Sequence, residues 1–218
     1  MKLFVWDLHG VLEVGNDLSV IDISNAVLES FGYKERFSFN DGSALYGLKW
    51  YEYFNWLLAT NDYERDLKLQ EACFELSESR LDLQCRWLQP TPGASAVLAE
   101  IESRHDQILI SNTRPRSLDT FLSKLGYERF FSASNSFAVD GHAIDARRSK
   151  SDVLRRFLSD SAEKQYEDIV IIGDSPSDMK LKDVAGGTTY LYAHPGLAFR
   201  ECVADHKIHD LRRVLDSR

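Results

Sequence analysis

The strongest constraint on this chain is a recurring pattern, a short unbroken apolar run that ends abruptly in a polar cluster. Leu3-Phe4-Val5-Trp6 stops at Asp7, Ile108-Leu109-Ile110 at Ser111-Asn112, and Ile169-Val170-Ile171-Ile172 at Gly173-Asp174. A strand with one wet face alternates apolar and polar residues. Runs that do not alternate must be covered on both faces, as in a parallel sheet between helices. Helical patterns fill the intervals. Ala94 to Arg104, behind Pro92-Gly93, puts Val97, Leu98 and Ile101 on one face. Pro115 to Leu125 spaces Leu118, Phe121, Leu122 and Leu125 in the same way before Gly126. Ser151 to Leu158 and Pro176 to Ala185 also read as helices, and Thr188 to Tyr192 as a further strand. This alternation predicts right-handed βαβ units and a doubly wound, Rossmann-like parallel α/β core.

The stretch from Glu13 to Gln89 breaks the alternation. Ser19 to Phe31 opens with Ser19-x-x-Asp22, the spacing of a capping box, and carries Val20, Ile23, Val27 and Phe31 on one face. Tyr46, Trp50, Tyr53 and Leu57 form a second helical stripe, and Tyr63 to Arg80 a third helix. The expected organisation is an α/β core of residues 1–12 and 90–218 with an all-helical insertion at 13–89. Pro90-Thr91-Pro92-Gly93 marks the return as a hinge or linker.

Composition narrows the partners. Among 218 residues, 26 Lys and Arg stand against 34 Asp and Glu, a net charge of −8, which argues against a protein that holds nucleic acid mainly by neutralising phosphates. No apolar run approaches the roughly 20 residues that span a bilayer. The opening run is stopped by Asp7, too early for a signal-peptide core. Cys73, Cys85 and Cys202 are far apart and lack CxxC spacing, so neither a disulfide framework nor a zinc cluster is indicated. The expectation is a cytoplasmic protein, monomer or homodimer, with no nucleic-acid or membrane partner.

In an open parallel sheet, ligands bind beyond the carboxyl ends of the strands. Here those ends deliver Asp7, Ser111 and Asp174. Asp7 can be a nucleophile or a hard-metal ligand. Asp174 and Asp178 follow a glycine turn, open a helix, and can complete an oxygen-rich site of the kind Mg²⁺ takes. Lys150, also just before a helix, offers a fixed positive charge to a phosphoryl oxygen or to the nucleophile. Each residue also has a plain structural role open to it: Asp7 as a strand-end cap, Ser111-Asn112 as a turn, Asp174 and Asp178 as helix caps, and Lys150 as one of a solvated basic trio with Arg147 and Arg148. Their coincidence at strand ends argues for chemistry.

The series Phe4-Val5-Trp6-Asp7-Leu8-His9-Gly10-Val11-Leu12, then Ile110-Ser111-Asn112, then Lys150, then Ile172-Gly173-Asp174-Ser175-Pro176-Ser177-Asp178 resembles the haloacid dehalogenase superfamily of hydrolases. The resemblance covers essentially the whole chain, and the helical stretch after the first motif looks like that family's cap domain. It implies a Mg²⁺-dependent phosphatase of a small phosphorylated metabolite, in which Asp7 attacks phosphorus to form an aspartyl-phosphate and so splits one hard displacement into two easier ones. Gly10, Ser111 and the N–H of Asn112 would hold the phosphoryl oxygens, and Lys150 would neutralise developing charge. Asp7, Asp174 and the carbonyl of His9 would bind Mg²⁺, with Asp178 orienting the site or acting through water. Two alternatives stay open: a phosphotransferase or phosphomutase of the same fold, and a catalytically retired member that binds a ligand or partner.

One departure is visible. Phosphatases resembling this chain carry Asp two residues after the nucleophile, as acid to the leaving group and base to water; here the residue is His9. Histidine titrates near neutrality and can do both, or it can simply fill the site. Among the aromatics, Tyr46, Trp50, Tyr51, Tyr53, Phe54 and Trp56 form either helix packing or a pocket wall. Lys49, beside Gly47, is a candidate for gripping substrate or an exposed lysine. Arg114 lies just beyond Ser111-Asn112. His105, His142, His194, His206 and His209 show no constellation.

Overall fold

The computed structural model describes residues 1–45, 48–59, 61–139 and 149–217. In chain order these form β1 (Leu3–Trp6), β2 (Glu13–Val14), α1 (Asn16–Ser30), α2 (Gly42–Leu45), α3 (Trp50–Leu58), α4 (Tyr63–Ser79), α5 (Leu81–Gln84), β3 (Gln89–Pro90), α6 (Ala94–Glu102), β4 (Asp106–Ser111) and α7 (Pro115–Leu125). There follow β5 (Ser136–Ala138), α8 (Lys150–Asp160), β6 (Ile169–Gly173), α9 (Pro176–Met179), α10 (Lys182–Ala185), β7 (Thr188–Tyr192) and β8 (His206–Ile208). The chain divides into two compact units, Met1–Val14 with Gln89–Arg218, and Gly15–Leu88.

The first unit is built on a parallel sheet ordered β5-β4-β1-β6-β7-β8 among the described residues. β1 is buried at all four positions and lies between β4 and β6, as its unbroken apolar run requires. One face of the sheet carries Leu3, Val5, Ile108, Ile110, Ile171 and Leu191, packed with Val153 and Leu154 of α8, Met179 of α9 and Leu181. Burying each such side chain stabilises by about 1.5–3 kcal/mol. Trp6 is in register with Leu109 of β4 and Ile172 of β6. Ser111 and Asp174 therefore emerge two rows beyond that line and Asp7 one row beyond it, all at the same carboxyl edge.

Several local expectations are corrected here. The helix read over Pro176–Ala185 is two short helices, because Leu181 and Asp183 donate to carbonyls three residues back rather than four. Lys150 is the first residue of α8 rather than a residue before it, with Ser149 as the cap. Beside these corrections, Thr91 of the return segment is buried and donates to the carbonyls of Val11 and Leu12.

The second unit, Gly15–Leu88, is helical. Its core gathers Ile21, Ile23, Val27 and Leu28 of α1, Phe37 from the following loop, Leu45 of α2, Tyr53 and Phe54 of α3, Leu69 and Cys73 of α4, and Leu83 of α5. α1 starts at Gly15, whose φ of +96° suits glycine, and not at Ser19, which is buried inside the first turn where its hydroxyl accepts the Trp87 N–H. Phe31 falls past the last helical residue and is exposed, so it does not join the buried face. Trp50 donates its indole N–H to Ser24 Oγ at 3.0 Å, and Tyr53 and Phe54 are buried, so this part of the aromatic stripe is packing. Tyr46, Gly47, His142, Arg147 and Arg148 lie outside the described residues. Cys73, Cys85 and Cys202 are free thiols. No described helix is long and apolar enough to cross a membrane.

Candidate active site

The carboxyl edge of the sheet is a charged cluster inside an apolar frame. Asp7 leaves β1 with its N–H donated to the carbonyl of Ile172, which ties the residue to the neighbouring strand. Its Oδ1 accepts the Leu8 N–H at 2.8 Å and pairs with Lys150 Nζ at 2.8 Å. Oδ2 makes no hydrogen bond or ion pair among the described residues. One oxygen is thus anchored and the other left with its lone pairs.

Lys150 is buried, and its ammonium also reaches Asp178 Oδ1 at 2.6 Å. A buried lysine would ordinarily lose its proton. Burial does pull Lys150 down, but Asp178 and Asp7 outweigh it and hold the pKa above the usual lysine range. Asp178 is itself fixed: its Oδ2 accepts the N–H and hydroxyl of Ser175 at the start of α9. Gly173 is what lets it sit there, since a Cβ on that residue would stand 2.1 Å from the Asp178 Cβ. Asp174 pairs with Arg200 at 3.2 Å. Sequence reasoning missed Arg200, which comes from the loop after β7, where no periodicity marks it.

Carboxylate oxygens of Asp7, Asp174 and Asp178 lie within 4.8 Å of one another. Three negative charges face the two positive charges of Lys150 and Arg200, and the imbalance shows. Burial, and after it repulsion from Asp178, raise Asp7 to about 6 against the pull of Lys150. Burial and Asp7 raise Asp174 to about 7 against the pull of Arg200. Buried, convergent, oxygen-only and short of positive charge, this donor set fits a hard divalent cation such as Mg²⁺.

Ser111, at the end of β4, is fully buried, and its hydroxyl has no hydrogen-bond partner among the described residues. Such an orphan costs stability unless something else accepts or donates. Asn112 next to it is exposed. Gly10 is buried with φ +73°, and its N–H is donated to Glu13 Oε1 at 3.2 Å, so it turns the chain rather than offering a free donor. His9 is partly exposed, with Nδ1 3.0 Å from Glu13 Oε1 and its ring edge-on to Phe121. Glu13 was invisible as a site residue in the sequence, where it reads as the first residue of the insertion. Lys49 belongs to the helical unit, where its N–H is donated to Glu52. Arg114 supplies the backbone cap of α7. His206 and His209 are exposed, whereas His194 is tied to the Glu13 carbonyl at 3.1 Å, a link its place in the sequence did not suggest.

A parallel sheet that gathers a half-anchored carboxylate, a buried ammonium and further acids at its carboxyl edge defines a protein of the doubly wound α/β class with a candidate active site at that edge. The model of haloacid dehalogenase-like hydrolases matches residues 1–181, and the chain belongs to that family. Solved structures share the fold over nearly the full length of both chains. A haloacid dehalogenase-like family hydrolase from Streptococcus pneumoniae is 16% identical, with 99% of this chain and 97% of that one covered and a TM-score of 0.73. A subfamily IA hydrolase from Geobacter sulfurreducens is 16% identical over 100% and 96%, with a TM-score of 0.70. A family hydrolase from Deinococcus radiodurans, with bound phosphate and sodium, is 16% identical over 99% and 93%, with a TM-score of 0.66. At this identity the likeness is one of fold. No curated protein sequence matches the chain.

Proposed function

We propose that the chain is a Mg²⁺-dependent phosphatase that hydrolyses a small phosphorylated metabolite through a phosphoryl group carried on Asp7, with Gly15–Leu88 as the cap. The observation that carries this reading is the anchoring of Asp7: Lys150 and the Leu8 N–H hold Oδ1, which leaves the lone pairs of Oδ2 to act as the nucleophile. Asp7, Asp174 and the carbonyl of His9 would hold Mg²⁺, with Asp178 acting through water. Bound there, the ion supplies the positive charge that lets an anionic nucleophile meet an anionic substrate.

The remaining residues divide the work. The Ser111 hydroxyl, which lacks a partner among the described residues, and the Asn112 N–H hold phosphoryl oxygens. Lys150 balances charge as the Asp7 oxygen bonds to phosphorus. His9 gives a proton to the departing ester oxygen and then takes one from water as the Asp7–phosphorus bond breaks. Lys49 is the cap's candidate for gripping substrate. The Deinococcus radiodurans relative holds phosphate and a cation, the two kinds of ligand this reading needs.

The test is a panel of phosphate esters assayed with Mg²⁺ and with excess chelator. Metal-dependent release of phosphate from at least one ester is the expected result. Full activity in chelator would remove the metal from the mechanism. Release that is slow in water but fast with an added sugar acceptor would move the assignment to phosphotransfer. Tight ligand binding with no turnover would make the chain a binder.

A further inference from the structure

Replacing an aspartate by histidine beside the nucleophile creates an orientation problem. A carboxylate presents equivalent oxygens however it rotates, so an acceptor always faces the reaction. An imidazole has two distinct nitrogens, and a ring flip puts a carbon where a nitrogen was needed. A working His9 therefore needs a group that fixes both ring orientation and tautomer.

The structure contains one. His9 Nδ1 lies 3.0 Å from Glu13 Oε1, and Glu13 is buried at 2% exposure. The same oxygen accepts the Gly10 N–H at 3.2 Å, so it faces donors, and the imidazole nitrogen beside it must carry its proton there. That leaves Nε2 as the nitrogen free to exchange a proton, and it has no hydrogen-bond partner among the described residues. Phe121 of α7 backs the ring edge-on at 5.1 Å between centroids.

Glu13 is itself held by the core. The turn leading to it is pinned by Thr91 Oγ1 on the Val11 carbonyl at 2.7 Å and by Tyr127 Oη on the Leu12 carbonyl at 2.8 Å. His194 Nε2 meets the Glu13 carbonyl at 3.1 Å. These bonds fix the backbone of Glu13 on both sides, and the Gly10 N–H holds its carboxylate beside His9.

We propose that Glu13 is the positioning residue of a His9–Glu13 dyad, holding Nδ1–H so that Nε2 faces the leaving group and then the attacking water. This rests on the acid/base role given to His9 above. In the first half-reaction the Nε2 proton passes to the ester oxygen as that oxygen leaves phosphorus and Asp7 bonds to it. In the second, Nε2 takes a proton from water as the water oxygen bonds to phosphorus and Asp7 departs. Glu13 keeps its hydrogen bond throughout and takes no proton.

The experiment compares wild type, His9→Ala, Glu13→Ala, Glu13→Gln and the double variant His9→Ala/Glu13→Ala on the best alkyl phosphate of the panel and on 4-nitrophenyl phosphate. Loss of acid catalysis costs roughly 10²–10⁴-fold in kcat on the alkyl ester, and far less on the aryl ester, whose leaving group needs no proton. Glu13→Ala should show that selective loss with KM little changed. Glu13→Gln, whose amide oxygen can accept Nδ1–H, should recover most of it. The double variant should be no slower than His9→Ala, as for groups that act as a unit. If His9→Ala is not selective for the alkyl ester, the acid/base reading itself fails. If His9→Ala is selective and folded Glu13→Ala is not, the dyad fails. Should Glu13→Ala not fold, ¹⁵N-histidine NMR of wild type decides. The resonance lost in His9→Ala should report a proton on Nδ1, and a neutral ring protonated on Nε2 would overturn the proposal.

Discussion

Replacing Lys150 by methionine isolates the electrostatics of the site, because the stem stays and only the ammonium goes. In the wild type that ammonium touches two buried carboxylates, Asp7 at 2.8 Å and Asp178 at 2.6 Å. Without it, the three acids of the cluster keep Arg200 as their counter-charge among the described residues, and Arg200 pairs with Asp174. Removing one partner of a buried ion pair costs about 3–5 kcal/mol. At roughly 2–4 °C per kcal/mol for a chain of this size, the melting temperature should fall by roughly 6–20 °C. The pH dependence is the sharper test. Burial first, and neighbouring acids second, already raise Asp7 to about 6 and Asp174 to about 7 with Lys150 opposing. Loss of that opposing charge moves both higher. The folded variant then holds protons that the unfolded chain has released, so its stability relative to wild type falls as pH rises through this window. Thermal melts in chelator at about pH 5 and about pH 8 should show a deficit that is small at the first and large at the second. A Lys150→Met protein that melts with wild type at the higher pH, or with an equal deficit at both, would refute the reasoning.

Other consequences follow from single side chains. Ser111→Ala removes a buried hydroxyl with no partner among the described residues, so stability should hold or rise by up to about 1 kcal/mol in denaturant titration, while kcat/KM for phosphate esters falls. Asp174→Ala should leave a folded protein whose activity needs far more Mg²⁺, read from metal titration of turnover. Gly173→Ala forces a Cβ to within 2.1 Å of the Asp178 Cβ and should cost about 1–3 kcal/mol in denaturant unfolding, with reduced turnover as the Asp178–Lys150 pair shifts.

Which parts of the fold were legible follows from burial. β1, β4 and β6 lie inside the sheet and show as apolar runs because both faces are covered, and β7, Thr188-Thr189-Tyr190-Leu191-Tyr192, shows by its β-branched and aromatic residues. β5 and β8 are three-residue edge strands, partly wet, and Ser136-Phe137-Ala138 and His206-Lys207-Ile208 carry no such signal. The start of α1 was misplaced because Ser19-x-x-Asp22 has capping spacing, while the true boundary is a left-handed glycine, Gly15. The same division runs through the site. Asp7, Ser111 and Asp174 follow apolar runs, and the sheet's register brings such residues to one edge. Glu13 and Arg200 arrive from a two-residue strand and a loop, where partners are chosen by tertiary packing and leave no spacing to read.

The central claim is that the phosphoryl group passes through Asp7. The most direct measurement is rapid mixing with a ³²P-labelled ester and Mg²⁺, quenching in acid, digestion, and mass and radioactivity mapping of the peptide that holds Asp7. The account predicts acid-stable, hydroxylamine-labile label on Asp7 in wild type and none in Asp7→Asn, which should be folded and inactive. Turnover with no label on that peptide at any quench time, or wild-type turnover by an undeamidated Asp7→Asn protein, would contradict it.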